Sequence, residues 1–312
     1  MLSVIVRNFE NSEVTLKCLK SLFKYPPRCG LEVFLVDDGR LNDESTRNLQ
    51  RQLSNIRILK LGDAIGISGA NNAAGDLAKG ECLLFLNGDT RILEGSLDGM
   101  LDVLNTDPKI GILGPRQLDS WGRLQRASGP FPTLAEILFK DLTAFQTIRK
   151  PGLLLDKNND KKKNWEDTDW VSGSCLLARR QTLSDVGGWD ENFFLYFEDI
   201  DLCRRVRKAG WRVCASFDMK TSVINHGGAG VVRNMLRTEL EYRRSQTHFV
   251  GKYYGREGLL KFRLSLLARA AALLPLSGFI FLFSKAAGRE ATISTGKLLL
   301  AKKTIELAWT PC

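Results

Sequence analysis

The sequence predicts an α/β protein, a mostly parallel, twisted sheet flanked by helices, with a helical extension at the C-terminal end. Three observations predict it. Short apolar runs alternate with helix-period segments through the first third of the chain. Acidic clusters stand where two of those runs end. A long basic amphipathic stretch precedes the C-terminal region.

Leu2–Val6 reads as a strand. Ser12–Phe23 places Val14, Leu16, Leu19 and Leu22 on roughly one side, a helix that Pro26-Pro27 ends. Leu31–Val36 is a second strand, running into Asp37-Asp38-Gly39, and Asp43–Leu53 a polar helix. Ile56–Leu61, Ser68–Leu77 and Glu81–Leu86 continue the rhythm as strand, helix and strand. Such alternation implies a parallel sheet with right-handed crossovers. Ile110–Leu113 is a further strand, Gln117–Asp169 is expected to be irregular, and Trp211–Ala215 and Ser222–Ile224 are late strands. Met235–Tyr254 reads as a basic amphipathic helix.

In sheets of this kind ligands bind beyond the carboxyl ends of the strands. Asp37-Asp38 and Asn87-Gly88-Asp89 fall at two such ends, where a nucleotide would sit. Asp and Gly are also ordinary turn formers, so the two clusters count together rather than singly. No GxGxxG follows the first strand and no GxxxxGK[ST] is present. A nucleotide would therefore be held by carboxylates and a metal, not by a glycine cradle.

With 45 Lys and Arg against 35 Asp and Glu, the 312-residue chain carries a net charge of +10 and calls for an anionic partner. Nucleic acid is not expected, because the chain has no zinc-finger spacing, no RNP-like aromatic motif and no basic helix free of apolar residues. The seven cysteines form no CxxC, and those in apolar segments read as reduced core thiols of a cytoplasmic protein. Met1 leads straight into a strand, so no signal peptide is expected. The uncharged stretch from Ala270 to Ser284 is shorter than the roughly 20 residues of a spanning helix. It reads either as an interfacial element on an anionic membrane surface or as a buried helix, and the basic charge favours the first.

The stretch Val171–Gly210 holds the densest chemistry. Glu198, Asp199 and Asp201 follow the aromatic run Phe193, Phe194, Tyr196 and Phe197 and precede a helix carrying Leu202, Val206 and Ala209. Acidic residues in a first helical turn complement the helix dipole. A carboxyl beside aromatic rings is also one whose pKa burial can raise toward that of a general base.

The ordered blocks Ser3-Val4-Ile5-Val6 with Asn8, Val36-Asp37-Asp38-Gly39, Gly69-Ala70-Asn71-Asn72, Leu86-Asn87-Gly88-Asp89-Thr90, Gly114-Pro115, Gly122-Arg123-Leu124 with Phe131-Pro132, and Val171–Gly210 resemble the family 2 glycosyltransferases, in their bacterial rhamnosyltransferase-like branch. The similarity runs from about Leu2 to Gly255. It implies a GT-A nucleotide-binding fold over residues 1–255, with a donor half to about 115 and an acceptor half beyond it; residues 256–312, outside the resemblance, read from their apolar and basic pattern as a helical region that could associate with a membrane. It also implies inverting transfer of a sugar from a nucleotide-sugar, with dTDP-rhamnose the best single donor and UDP-hexoses next. The implied acceptor is a saccharide or lipid-linked saccharide of a cell-surface glycan, met at the inner face of the membrane.

By the same resemblance Asp199 is the catalytic base. Asp38 binds the donor base, with Asn8, Asn71, Arg7 and Arg40 around the nucleotide. Asp89 ends the metal-binding DxD motif for Mn2+ or Mg2+, with Asn87 and His226 beside it. Glu198, Asp201, Trp121, Trp170 and Tyr196 face the acceptor, although Glu198 and Asp201 could instead order the helix start. The sequence departs from the family at Asn87, which replaces the first Asp of DxD, at Arg7, where a small apolar residue is usual, at Arg40, where Ser is usual, and at Ala64, near a usual Asn. Arg7 and Arg40 then either bind phosphate or fill the pocket. A catalytically inactive sugar-nucleotide-binding protein is the rival reading.

Overall fold

The structure, a computed structural model, describes residues 1–8, 12–37, 41, 43–62, 65–140, 164–226 and 235–286. In chain order the elements are β1 (Leu2–Arg7), α1 (Ser12–Lys24), β2 (Leu31–Asp37), α2 (Asp43–Gln52), β3 (Ile56–Lys60), α3 (Gly66–Leu77), β4 (Cys82–Asn87), β5 (Thr90–Ile92) and α4 (Ser96–Asn105). Then come β6 (Ile110–Gly114), β7 (Gln117–Leu118), β8 (Ser128–Gly129), α5 (Leu134–Lys140), β9 (Trp165–Asp167), β10 (Trp170–Val171), β11 (Cys175–Arg179), α6 (Arg180–Val186) and α7 (Glu198–Lys208). Last are β12 (Arg212–Ser216), β13 (Val223–Asn225) and α8 (Met235–Ala286).

The main sheet runs β3-β2-β1-β4-β11-β6-β12-β9. β3, β2, β1 and β4 are parallel, as the alternation predicts. β11 enters antiparallel between β4 and β6, and β9 is antiparallel at the far edge. A small sheet, β5-β13-β7, is separate, and β10 pairs with β8. The segment expected to be irregular, Gln117–Asp169, therefore contains β7, β8, α5 and β9. Their short runs carry little periodicity and are completed by partners far away in sequence.

Strand alternation divides the core. Leu2, Val4 and Val6 of β1 pack on one side with Leu19 and Leu22 of α1 and Leu97 and Leu104 of α4. Ile5 packs on the other, with Phe34, Ala70 and Ala74 of α3, and Leu202, Cys203 and Val206 of α7. Arg7 shares the pleat face of Ile5, so its side chain points toward the layer that holds α7. Burying each of Val4, Ile5 and Val6 contributes on the order of 1.5–3 kcal/mol. An edge-to-face contact of Phe85 with Trp189, centroids 4.9 Å apart, adds roughly 0.5–1.5 kcal/mol. The thiols of Cys18, Cys175 and Cys203 are buried in this core, and burial pushes their pKa values up, which keeps them unreactive.

The chain forms two compact units. One holds all the strands. The other holds α5, the Leu195–Phe197 segment and α8. Within the second unit Phe249 packs on Phe197 and Tyr253, and the Tyr254 hydroxyl donates to the Pro132 carbonyl at 2.5 Å. Gly255, at φ 65°, interrupts α8. No helix among the described residues is long and apolar enough to cross a membrane.

Candidate active site

The carboxyl ends of β1, β2 and β4 lie along one sheet edge, because these strands are parallel and in register: Arg7 is opposite both Val36 and Asn87. β11 runs the other way, so the residues that precede it, Gly173 and Ser174, arrive at the same edge. The Ser174 carbonyl accepts the Asn87 N–H at 2.9 Å. Between Asn87 and Asp89 the chain must pass close to β1. A Cβ on Gly88 would lie 2.7 Å from the Arg7 carbonyl and 2.8 Å from Thr15 Oγ1, so only glycine lets the Gly88 N–H reach that carbonyl at 2.9 Å.

Asp199 opens α7. Its Oδ2 accepts the Gly173 N–H at 2.9 Å and its Oδ1 the Ile200 N–H at 2.8 Å. The side chain is half-buried. Burial raises the carboxyl above its usual range, and the two backbone N–H groups and the nearby Arg7 cation pull it back only in part. That is the direction a general base requires. Tyr196 and Phe197, immediately before Glu198, both adopt left-handed backbone, at φ 68° and 65°. Each such residue costs on the order of 1–2 kcal/mol, and two in succession make the sharp entry that sets Glu198 and Asp199 at the helix start.

Asp89 is buried at the edge. The small sheet brings His226 to it: Asn225 of β13 is opposite Thr90 of β5, and the His226 N–H donates to the Asp89 carbonyl at 3.1 Å. The exposed His226 ring has Nδ1 2.8 Å from Ser120 Oγ, which leaves Nε2 as the atom an incoming group would meet. Behind them, Gln117 Oε1 accepts from Ser174 Oγ at 2.8 Å and from Asn225 Nδ2 at 3.2 Å, tying the Gly173 loop to the His226 strand.

Arg7 is buried at the centre. Its Nη2 donates to the Asn87 amide oxygen and, at 3.1 Å, to the Gly173 carbonyl. Burial draws its pKa down, while Glu198, Asp199 and Asp89 draw it up. A guanidinium stays protonated at neutral pH, so Arg7 is a resident cation among carboxylates.

The structure thus gathers Arg7, Asn87, Asp89, Glu198, Asp199 and His226 on one edge. Asn8 is beside them, its Oδ1 accepting from Thr15 Oγ1 at 2.9 Å, and Asn71 is buried in α3. Asp37 Oδ1 accepts the Leu41 N–H at 3.0 Å. Asp38 and Arg40 lie outside the described residues.

The acceptor set divides. Trp121 is 78% exposed on a turn, stacked with Arg123, and Trp170 donates its indole N–H to the Pro130 carbonyl at 2.9 Å. Tyr196 belongs to the second unit, edge-on to Tyr242. Asp201 is fully buried and paired with Arg205 at 2.7 Å, the arrangement of the alternative in which it orders the start of α7 rather than meeting an acceptor. Gly173, Ser120 and Gln117 were not expected from the sequence. Their one local signal is the polar Ser172-Gly173-Ser174 run before an apolar strand.

Residues 3–182 match the family described as Glycosyl transferase family 2. An N-acetylglucosaminyl-diphospho-decaprenol L-rhamnosyltransferase of Mycobacterium tuberculosis (strain CDC 1551 / Oshkosh) is 31% identical over 192 residues, 58% of this chain and 62% of the relative. The rhamnosyltransferase WbbL of Escherichia coli (strain K12) is 33% identical over 85 residues, 27% of this chain and 29% of that protein. The chain therefore spans less than two thirds of these relatives. In three dimensions it is similar to the mannosyltransferase PcManGT from Pyrobaculum calidifontis, solved in complex with GDP-Man and Mn2+, with a TM-score of 0.55 and 15% identity over 99% of this chain and 87% of that one. The likeness is one of fold, the GT-A type of the glycosyltransferases. With a profile match across more than half of its length, the chain belongs to glycosyl transferase family 2.

Proposed function

We propose that this glycosyltransferase moves a sugar, with inversion, from a nucleotide-sugar to a hydroxyl of a saccharide or lipid-linked saccharide, and that Asp199 is the base. The observation that carries the reading is the Asp199 carboxylate. It is held by the N–H groups of Gly173 and Ile200, its pKa is raised by burial, and it shares one sheet edge with Asp89. In the reaction Asp199 takes the proton of the acceptor hydroxyl as its oxygen attacks the anomeric carbon from the face opposite the leaving nucleoside diphosphate. The bond to the diphosphate breaks as the new glycosidic bond forms. The Gly173 and Ile200 N–H groups keep the carboxylate aimed without neutralising it.

A divalent cation, Mn2+ or Mg2+, fits as a companion of the donor. Asp89 and the His226 ring are the suitable ligands, whereas the Asn87 oxygen is committed to Arg7. Among the described residues no group of three or more His, Cys, Asp and Glu is placed to hold a metal alone. Hard cations commonly complete such a shell with substrate phosphates. When bound, the ion would supply Lewis-acid stabilisation to the leaving diphosphate.

The relative named as an L-rhamnosyltransferase acting on a decaprenol-linked sugar supports a rhamnosyl donor, with dTDP-rhamnose first and UDP-hexoses second. A prenyl-linked acceptor would be met at the inner membrane face. The test is product formation from a panel of nucleotide-sugars and prenyl-diphosphate-linked acceptors, with the product anomer read by NMR. Inverted product from dTDP-rhamnose is expected. A retained anomer sinks the base role, and nucleotide binding without turnover of any donor favours the inactive binding protein.

A further inference from the structure

Arg7 is hard to account for as packing. It stands on the pleat face of Ile5, beside the apolar side chains of Ile5, Phe34 and Phe85. Burying a charge there is costly unless it is paired. Its Nη2 is shared between Asn87 and Gly173, while its Nε and Nη1 are buried with no hydrogen-bond partner among the described residues. What compensates the charge is the set of carboxylates facing it, those of Glu198, Asp199 and Asp89.

Two consequences follow for a cation at this edge. The Asn87 amide oxygen, two residues before Asp89 on the same strand end, already accepts from the guanidinium. The negative field of the carboxylates, which would draw in a divalent ion, is offset by the fixed positive charge of Arg7, with which all three interact. Both effects weaken metal binding to the protein alone. A bound diphosphate adds oxygens and negative charge of its own, which outweigh both effects.

We propose that Arg7 makes uptake of the divalent ion depend on the nucleotide: with Arg7 in place the edge binds Mn2+ weakly by itself and well only together with a nucleoside diphosphate. The proposal rests on the glycosyltransferase reading of the same site and adds an order to it, donor and metal arriving together. Arg7 is then a positioning residue. It holds the Asn87 end of β4 and the Gly173 loop, and sets the charge that the metal meets.

The experiment is titration of Mn2+ into the full chain, followed by loss of the free-ion EPR signal, with and without dTDP or UDP. It needs no turnover, so a failed donor panel and a failed Mn2+ result are told apart. Wild-type protein should bind Mn2+ at least about tenfold more weakly without nucleotide than with it. Arg7→Met should tighten nucleotide-free binding at least about tenfold, the scale of one unit charge at this range. Arg7→Lys keeps the charge but lacks the fork that spans Asn87 and Gly173, and should tighten it less. Equal wild-type affinity with and without nucleotide overturns the proposal, as does unchanged nucleotide-free affinity in folded Arg7→Met. If Arg7→Met does not fold, Arg7→Lys and the wild-type pair decide, and an unchanged nucleotide-free affinity in Arg7→Lys then overturns it.

Discussion

Asp199 and Gly173 meet across 26 positions of sequence, the carboxylate Oδ2 2.9 Å from the backbone nitrogen. Arg7 holds the other side of that residue, through its carbonyl at 3.1 Å. One glycine thus stands between the Asp199 carboxylate and the buried cation.

Asp199→Asn should lower transfer by about a hundredfold or more, the scale of a lost general base. Nucleotide affinity should stay within a few-fold. Steady-state rates and calorimetric titration with dTDP or UDP check this. Transfer within tenfold of wild type would remove Asp199 from the base role.

The raised Asp199 carboxyl also fixes the sign of two pH effects. A base must be deprotonated, so kcat/KM should climb with pH along a limb of unit slope whose midpoint lies above the usual Asp value of about 3.9. Stability runs the other way. The fold favours the protonated form, so this group's contribution is full below the unfolded pKa and is lost as pH rises through the folded pKa. Relative to Asp199→Asn, wild type should therefore lose stability as pH rises from 4 to 7. Melting curves of both proteins at the two pH values read this, and a constant or opposite difference would contradict it.

Asp89→Ala should weaken nucleotide binding in Mn2+ by at least about tenfold and much less in EDTA, since an ion shared with the diphosphate is lost. Thermal shifts with dTDP in the two buffers measure it by linkage. Equal losses in both buffers would mean that Asp89 supports the fold rather than the ion.

Arg205 fastens the helix that carries Asp199. Besides Asp201 it reaches the Val186 and Gly188 carbonyls at 2.8 and 2.7 Å, joining α7 to the end of α6. Arg205→Met removes the ion-pair partner of the fully buried Asp201 and should cost about 3–5 kcal/mol in urea unfolding. The double change Arg205→Met with Asp201→Leu should recover much of it. A loss below about 1 kcal/mol in the single variant would show that water enters to solvate Asp201.

The sequence by itself determined the parallel half of the sheet. Strand and helix periods are local, and β1 to β4 with α1 to α3 follow from runs of a few residues each. It also determined that Asp37, Asn87 and Asp89 stand at strand ends and that Glu198 and Asp199 open a helix. These too are local facts, read from where an apolar run stops. The resemblance to a known family then attached roles to those positions.

Only the tertiary structure decided which of these groups meet. Glu198 and Asp201 look alike in sequence, yet helical rotation turns Asp201 to Arg205 and leaves Glu198 near Gly173. His226 reaches Asp89 because β13 pairs with β5, a register that no local pattern encodes. Arg7 could have reached into solvent for phosphate. The strand alternation that buries Ile5 carries it inward instead, to Asn87 and Gly173, because side chains two apart on a strand share a face. Contacts between distant segments depend on how layers pack, and packing is a property of the whole sheet rather than of any one run of residues.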